Sequence, residues 1–253
     1  MISKEIFDIV VLAWIGIAVL LFPVLLKITA PYGRHTQKNW GPMIDNRLGW
    51  FLMEFPALAV FSFFVFSGDN FGEMIITIAS FLWITHYVNR TLIFPMRIKT
   101  NRKKMPLSIV GMAFFFNIIN GFINGYWLGS LSLPYPESWF YDIRFIAGLM
   151  LFIAGFFINQ YHDHLLIRLR KSNGADYKIP FGGLFRFVSC PNFFGEIIEW
   201  GGFALLTWCL PSFSFFLWTL VNLLPRAIDH HRWYKKTFAD YPKNRKAIIP
   251  FLL

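Results

Sequence analysis

Residues 6–26 read IFDIVVLAWIGIAVLLFPVLL, with Asp8 the sole ionisable residue in the run. A helix needs about 20 such residues to cross the roughly 30 Å hydrocarbon core of a bilayer. No small-residue cleavage pattern accompanies the run, so it reads as a first membrane helix that is kept rather than a removed signal. Comparable runs lie near 49–67, 73–95, 107–130, 143–167, 192–209 and 211–226. Leu210-Pro211-Ser212 reads as a tight turn between the last two. The expectation is an all-α integral membrane protein with about seven transmembrane helices.

Composition agrees. The 253 residues are 56% apolar and only 15% charged, against roughly half and a quarter for a soluble domain. The mean hydropathy is +0.48, and 31 Phe exceed what one water-soluble core would bury. Cys190 and Cys209 fit neither a disulfide framework nor a metal-ligand spacing and read as small apolar fillers.

The net charge of +10 raises nucleic acid as a partner, but the cations lie in blocks between apolar runs rather than on a basic helix interleaved with aromatics. No nucleic-acid partner is expected. The loops after the first, third and fifth spans and the tail after 226 are rich in Lys and Arg, whereas those near 68–72, 131–142 and 210–212 are not. By the positive-inside rule the N-terminus lies outside and the C-terminus in the cytosol. With no repeat and no linker, residues 1–253 read as one domain.

Ionisable groups inside a membrane are costly and mark function by default. Glu54 lies early in the second span, as a snorkelling carboxylate or a functional one. His86, Tyr87, Asn89 and Arg90 come late in the third, with Arg90 placed near the cytosolic surface. Asn117, Asn120 and Asn124 share a helix face, as interhelical glue or as ligand contacts. Asn159 and Asp163 are four apart beside His162 and His164, and Asn192, Glu196 and Glu199 share an apolar face after Pro191. These carboxylates either pair with Arg residues or hold a polar ligand. Arg226, His230, His231, Arg232, Tyr234 and Tyr241 follow in the tail.

Consecutive His162-Asp163-His164 and His230-His231 fan out around a helix, and no HExxH or Cys/His set occurs, so no metal is expected. There is no GxSxG elbow and no GxGxxG. A dinucleotide, if bound, must be held by the bundle and its basic loops. Arg34, Arg170, Arg226, Asn159 and Asn192 can supply the charge and amide donors that phosphates need.

From Tyr177 the chain reads YKIPFGGLFRFVSCPNFFGEIIEWGGFAL, and it ends RAIDHHRWYKKTFADYPKNRKAIIPFLL. Both stretches, within a signature region of about 177–253, closely resemble the steroid 5α-reductase (3-oxo-5α-steroid 4-dehydrogenase) family. Weaker echoes run through Tyr32-Gly33-Arg34-His35-Thr36, Trp50 to Pro56, His86-Tyr87 with Arg90-Thr91, and Tyr141 to Phe145. The likeness leans toward the animal type-2-like enzymes and suggests a bacterial homologue.

The resemblance implies a seven-helix membrane reductase with the cofactor site inside the bundle. It implies NADPH as cofactor and a steroid or similar lipophilic enone as substrate, reached from membrane lipid. Glu54 and Tyr87 match the pair that hydrogen-bonds the substrate's C3 ketone. Arg34, Asn159, Asp163, Arg170, Asn192, Glu196, Arg226, His230 and Tyr234 match positions around the cofactor. Two departures stand out: Met53 sits where the animal enzymes carry Gln, and the loop 96–104 is longer and more basic than the family's short turn. The expected reaction is NADPH-dependent reduction of the Δ4 double bond of 3-oxo-Δ4-steroids. Reductases of polyprenol or enoyl-CoA, and related membrane methyltransferases, are the alternatives, with a lipid transporter from another class. The expected membrane is the bacterial inner membrane or the endoplasmic reticulum.

Overall fold

A computed structural model describes residues 2–100, 102–173 and 177–253. The chain is mostly helical. Seven main helices follow in order: α1 (Lys4–Leu25), α2 (Asn46–Phe66), α3 (Met74–Val88), α4 (Leu107–Tyr126), α5 (Ile143–Asn173), α6 (Pro191–Thr207) and α7 (Leu210–Thr237). Local chemistry sets several of their ends. The Ser3 hydroxyl accepts from Ile6 N–H to start α1, and the Asp45 carboxylate accepts from Arg47 and Leu48 to start α2. Past Val88 the backbone widens into a single π-helical turn at Asn89–Ile93 before a last short turn, Phe94–Arg97.

Among the described residues, four helices are long and apolar enough to cross a membrane: Lys4–Leu25, Asn46–Phe66, Leu107–Leu131 and Ile143–Arg170. Their outward residues include Leu20 at 75% exposure and Phe115, Phe157 and Phe63 at about two-thirds, a surface suited to lipid and not to water. The chain thus has the character of a membrane protein. α6 and α7 depart from the spacing expected of them. Trp208, in left-handed geometry (φ 43°), ends α6, and the Pro211 expected in a tight turn lies instead in the first turn of α7. Proline has the φ of a helix start and sits there without losing a bond. α7 then runs on to Thr237, so His230 and Tyr234 lie on a helix rather than in a tail.

A short β-ribbon accompanies the bundle. Met43–Asp45 (β1) pairs antiparallel with Lys104–Pro106 (β2), Met43 facing Pro106. This ribbon fastens the basic loop after α3 to the start of α2. The bundle core is aromatic: Phe61 stacks on Trp83 at 4.5 Å, and Trp200, Phe203 and Phe215 pack around the same indole.

The most extensive helix contact among the described residues is that of α5 with α6. A Cβ at Gly195 would stand 2.5 Å from Asn159 N and 2.7 Å from Gly155 O, so the backbones touch where there is no side chain. That approach brings the polar faces of α5 and α6 into register.

Candidate functional site

A cleft with about 1450 Å³ of free space, continuous with solvent, opens between the segment joining α1 to α2, the loop after α3, and helices α5, α6 and α7. Eight of the nine residues expected around a cofactor line it: Arg34, Asp163, Arg170, Asn192, Glu196, Arg226, His230 and Tyr234. Helical spacing explains the convergence. Arg226, His230 and Tyr234 recur every four residues on α7, as Asn192 and Glu196 do on α6, so each set shares a face. Asn159, the ninth, lies just behind the wall. Its amide donates to Asn192 O and to Glu196 Oε2, both at 3.1 Å.

Cations in the cleft rest on aromatic rings. The Arg34 guanidinium lies 4.5 Å from the Tyr234 centroid and 4.9 Å from that of Trp233, and Nη2 donates to Tyr234 OH at 3.2 Å. Its Nη1 is buried and has no hydrogen-bond partner among the described residues. Arg34, Arg170 and Lys103 all approach the Tyr177 ring, with Lys103 Nζ 4.5 Å from its centroid. The Arg226 guanidinium lies over the Tyr32 ring, 3.5 Å from its centroid, and donates to the Ala30 and Tyr32 carbonyls. Stacking keeps a guanidinium's edge free to donate, as recognition of a planar or phosphorylated anion requires. Lys99, Lys103 and Lys104, from the loop that the sequence singled out as unusually basic, add positive charge to the same wall.

His230 lines the cleft, and His35 backs it. His35 Nε2 and His230 Nδ1 are 3.0 Å apart, with rings stacked at 5.1 Å. Burial, then the Arg226 and Arg34 guanidiniums, push His35 down to about 4, and the same influences push His230 well below its ordinary range. Both rings are therefore neutral at pH 7, one donating to the other.

Glu54 and Tyr87 lie beyond the cleft wall. Arg90 connects the two regions: it pairs with Glu54 at 3.8 Å and with Asp163 at 3.3 Å, and Asp163 accepts from the Asn192 amide at 2.9 Å. Tyr87 is 3% exposed and packs on Trp83 and Trp200. Among the described residues its hydroxyl has no hydrogen-bond partner, and Glu54 does not reach it. An O–H that no protein group engages is free to donate to a ligand.

Several features were not legible in the sequence. Arg90, expected at a surface, is 9% exposed. His86 and Glu199 form a buried pair at 2.7 Å through Oε1, while Glu199 Oε2 has no hydrogen-bond partner among the described residues. The three asparagines of α4 settle as glue: Asn117 donates to Met53 O, Asn120 accepts from Trp14 Nε1, and Asn124 accepts from Ser212 Oγ. Met53 packs its side chain with Met105, Ile109 and Val110, away from the polar groups of Glu54. The carboxylates follow no single pattern: Glu54 and Asp163 pair with arginine, Glu196 takes an amide, and Glu199 takes a histidine.

The fold and site together define a membrane-type helical protein with a cationic, aromatic-lined cleft. The family described as 3-oxo-5-alpha-steroid 4-dehydrogenase matches residues 103–253. "Steroid 5-alpha-reductase DET2" of Gossypium hirsutum is 44% identical over 235 residues, 90% of each chain. The Arabidopsis thaliana protein of that name is 42% identical over 240 residues, again 90% of each chain. "3-oxo-5-alpha-steroid 4-dehydrogenase 2" of Rattus norvegicus is 41% identical over 226 residues, 88% of each chain. The chain belongs to the 3-oxo-5-alpha-steroid 4-dehydrogenase family, and is an oxidoreductase of that family.

Proposed function

We propose that this protein reduces the Δ4 double bond of 3-oxo-Δ4-steroids to the 5α-3-oxosteroids, with NADPH as reductant. The observation that carries the reading is the meeting, in one cleft, of Arg34, Arg170, Arg226, Asp163, Asn192, Glu196, His230 and Tyr234 from four separate parts of the chain. The free Nη1 of Arg34 and the stacked cations fit a dinucleotide's phosphates and flat rings. Asn159 supports the same wall from behind. When bound, NADPH supplies the hydride for the carbon–carbon bond.

The chain's own part is to bind, orient and stabilise charge. In reduction of an enone, negative charge gathers on the carbonyl oxygen. A preplaced donor aimed at that oxygen lowers the barrier in the manner of an oxyanion hole. Tyr87 O–H is that donor, and Glu54 is the polar group that accompanies it on the substrate side. Trp83, Trp200 and the apolar faces around them exclude water and suit a steroid skeleton.

In this reading seven helices cross the membrane as one domain over residues 1–253, with the cleft on the cytosolic side where NADPH is available. The alternation of basic and non-basic loops supports that orientation. The membrane is the bacterial inner membrane or the endoplasmic reticulum, according to source.

The test is mass spectrometry of products from purified protein in detergent with NADPH and a panel of testosterone, progesterone, a polyprenol and a trans-2-enoyl-CoA. The expected product is the 5α-dihydrosteroid. Reduction of the polyprenol or the acyl-CoA alone would overturn the steroid assignment. Thermal protection by S-adenosylmethionine and not by NADPH would overturn the reductase chemistry itself.

A further inference from the structure

Arg90 projects from the π-helical turn Asn89–Ile93, the one place where the helix continuing α3 widens, and such turns concentrate at functional sites. Its guanidinium is held 4.9 Å from the Trp50 centroid and 4.8 Å from that of Phe94. Both rings and Arg90 itself line the cleft. From this position Nη2 reaches Glu54 Oε1 and Nη1 reaches Asp163 Oδ2. The other oxygen of Glu54 faces the Asn117 amide at 3.5 Å, and the other oxygen of Asp163 takes the Asn192 amide. One planar cation is therefore shared by a carboxylate on α2, which does not line the cleft, and a carboxylate on α5, which does.

We propose that Arg90 is a positioning residue that couples the two halves of the site, orienting Glu54 on the substrate side through the same guanidinium that orients Asp163 in the cleft. The inference rests on the reading above, in which Glu54 serves the substrate and Asp163 the cofactor. It adds an assignment of labour. With Arg90 at one oxygen and the Asn117 amide at the other, Glu54 acts as an acceptor, which leaves donation to the ketone to Tyr87. Lysine cannot replace Arg90, because a point charge on a flexible stem cannot hold two carboxylates at fixed angles while resting against both rings.

The experiment is a double-mutant cycle on NADPH affinity, read by quenching of tryptophan fluorescence, with Arg90→Gln, Glu54→Gln and both together. Arg90→Lys keeps the charge and serves where Arg90→Gln fails to fold. If Arg90 transmits between the halves, Glu54→Gln shifts the NADPH Kd by about three-fold or more while Arg90 is present, the size of the smaller couplings between neighbouring residues. The same substitution leaves Kd unchanged once Arg90 is Gln or Lys. Equal effects of Glu54→Gln in both backgrounds would overturn the coupling. Steroid turnover by the wild-type protein is followed in parallel. Its absence, with the coupling intact, overturns the steroid reading and upholds Arg90; turnover with additive variants overturns Arg90 alone.

Discussion

His86 Nδ1 and Glu199 Oε1 lie 2.7 Å apart, in side chains 3% and 0% exposed. The contact joins α3 to α6 at the turn that carries Tyr87, whose ring lies 5.0 Å from His86 and 5.9 Å from Trp200. It thus sets the place of the proposed donor without touching substrate. Removing one member of a buried hydrogen-bonded pair leaves the other unsatisfied, at a cost of about 1–3 kcal/mol. Glu199→Ala is expected to lose that much stability in thermal unfolding, and Glu199→Gln, which retains a hydrogen-bonding amide, markedly less. Equal losses in the two variants would show that the hydrogen bond is not what matters.

Tyr87→Phe removes only the hydroxyl from a ring held by Trp83 and Trp200. Loss of one such donor costs about 10²–10³ in kcat where charge develops on a carbonyl oxygen. The variant should bind NADPH as the parent does while its turnover falls by that factor. Turnover within two-fold of the parent would remove Tyr87 from the reaction.

Acid should weaken the cleft. An unfolded histidine takes its proton near 6.5, whereas folded His35 resists until about 4 because burial and then Arg226 and Arg34 oppose the charge. The folded pKa is the lower one, so the stabilisation is complete above about 6.5 and is lost as the pH falls toward about 4. Thermal midpoints measured from pH 7.5 to 4.5 should decline across this window. The double variant His35→Gln/His230→Gln should decline less steeply, and a slope equal to the parent's would count against the pair.

Gly195→Ala should be poorly tolerated. The added methyl would meet Asn159 N and Gly155 O, which are backbone atoms that cannot swing aside. Overpacking of this kind costs about 1–3 kcal/mol, and separating α5 from α6 would also pull the Asn159 amide from Asn192 O. A lowered thermal midpoint with weakened NADPH affinity is expected. Gly16→Ala, where nothing lies within 4 Å, is the control.

Much of this was readable from the chain because helices carry local signals. The apolar run 6–26 becomes α1, and the four-residue spacing of Arg226, His230 and Tyr234 is preserved as one face of α7. What could not be read depends on partners far apart in sequence. Glu199 meets a histidine 113 residues away, and His35 meets His230 across 195. Periodicity places each residue on a face but does not say which face it meets. Arg90 was misplaced because a charge near a helix end ordinarily snorkels to water. Here Trp50 and Phe94 cover it and two carboxylates neutralise it. The β1–β2 ribbon was missed for want of length, since three residues show no alternation.

The joining of the chain's two ends at the cleft has a consequence for biosynthesis. Thr29 meets Asp229, Arg34 meets Tyr234, His35 meets His230, and Arg226 holds the carbonyls of Ala30 and Tyr32. The segment after α1 leaves the ribosome long before α7 exists, so it waits unpartnered through the synthesis of most of the protein. The cleft is therefore the last thing to form, and a chain truncated before Arg226 would make its early helices yet have no cleft to close.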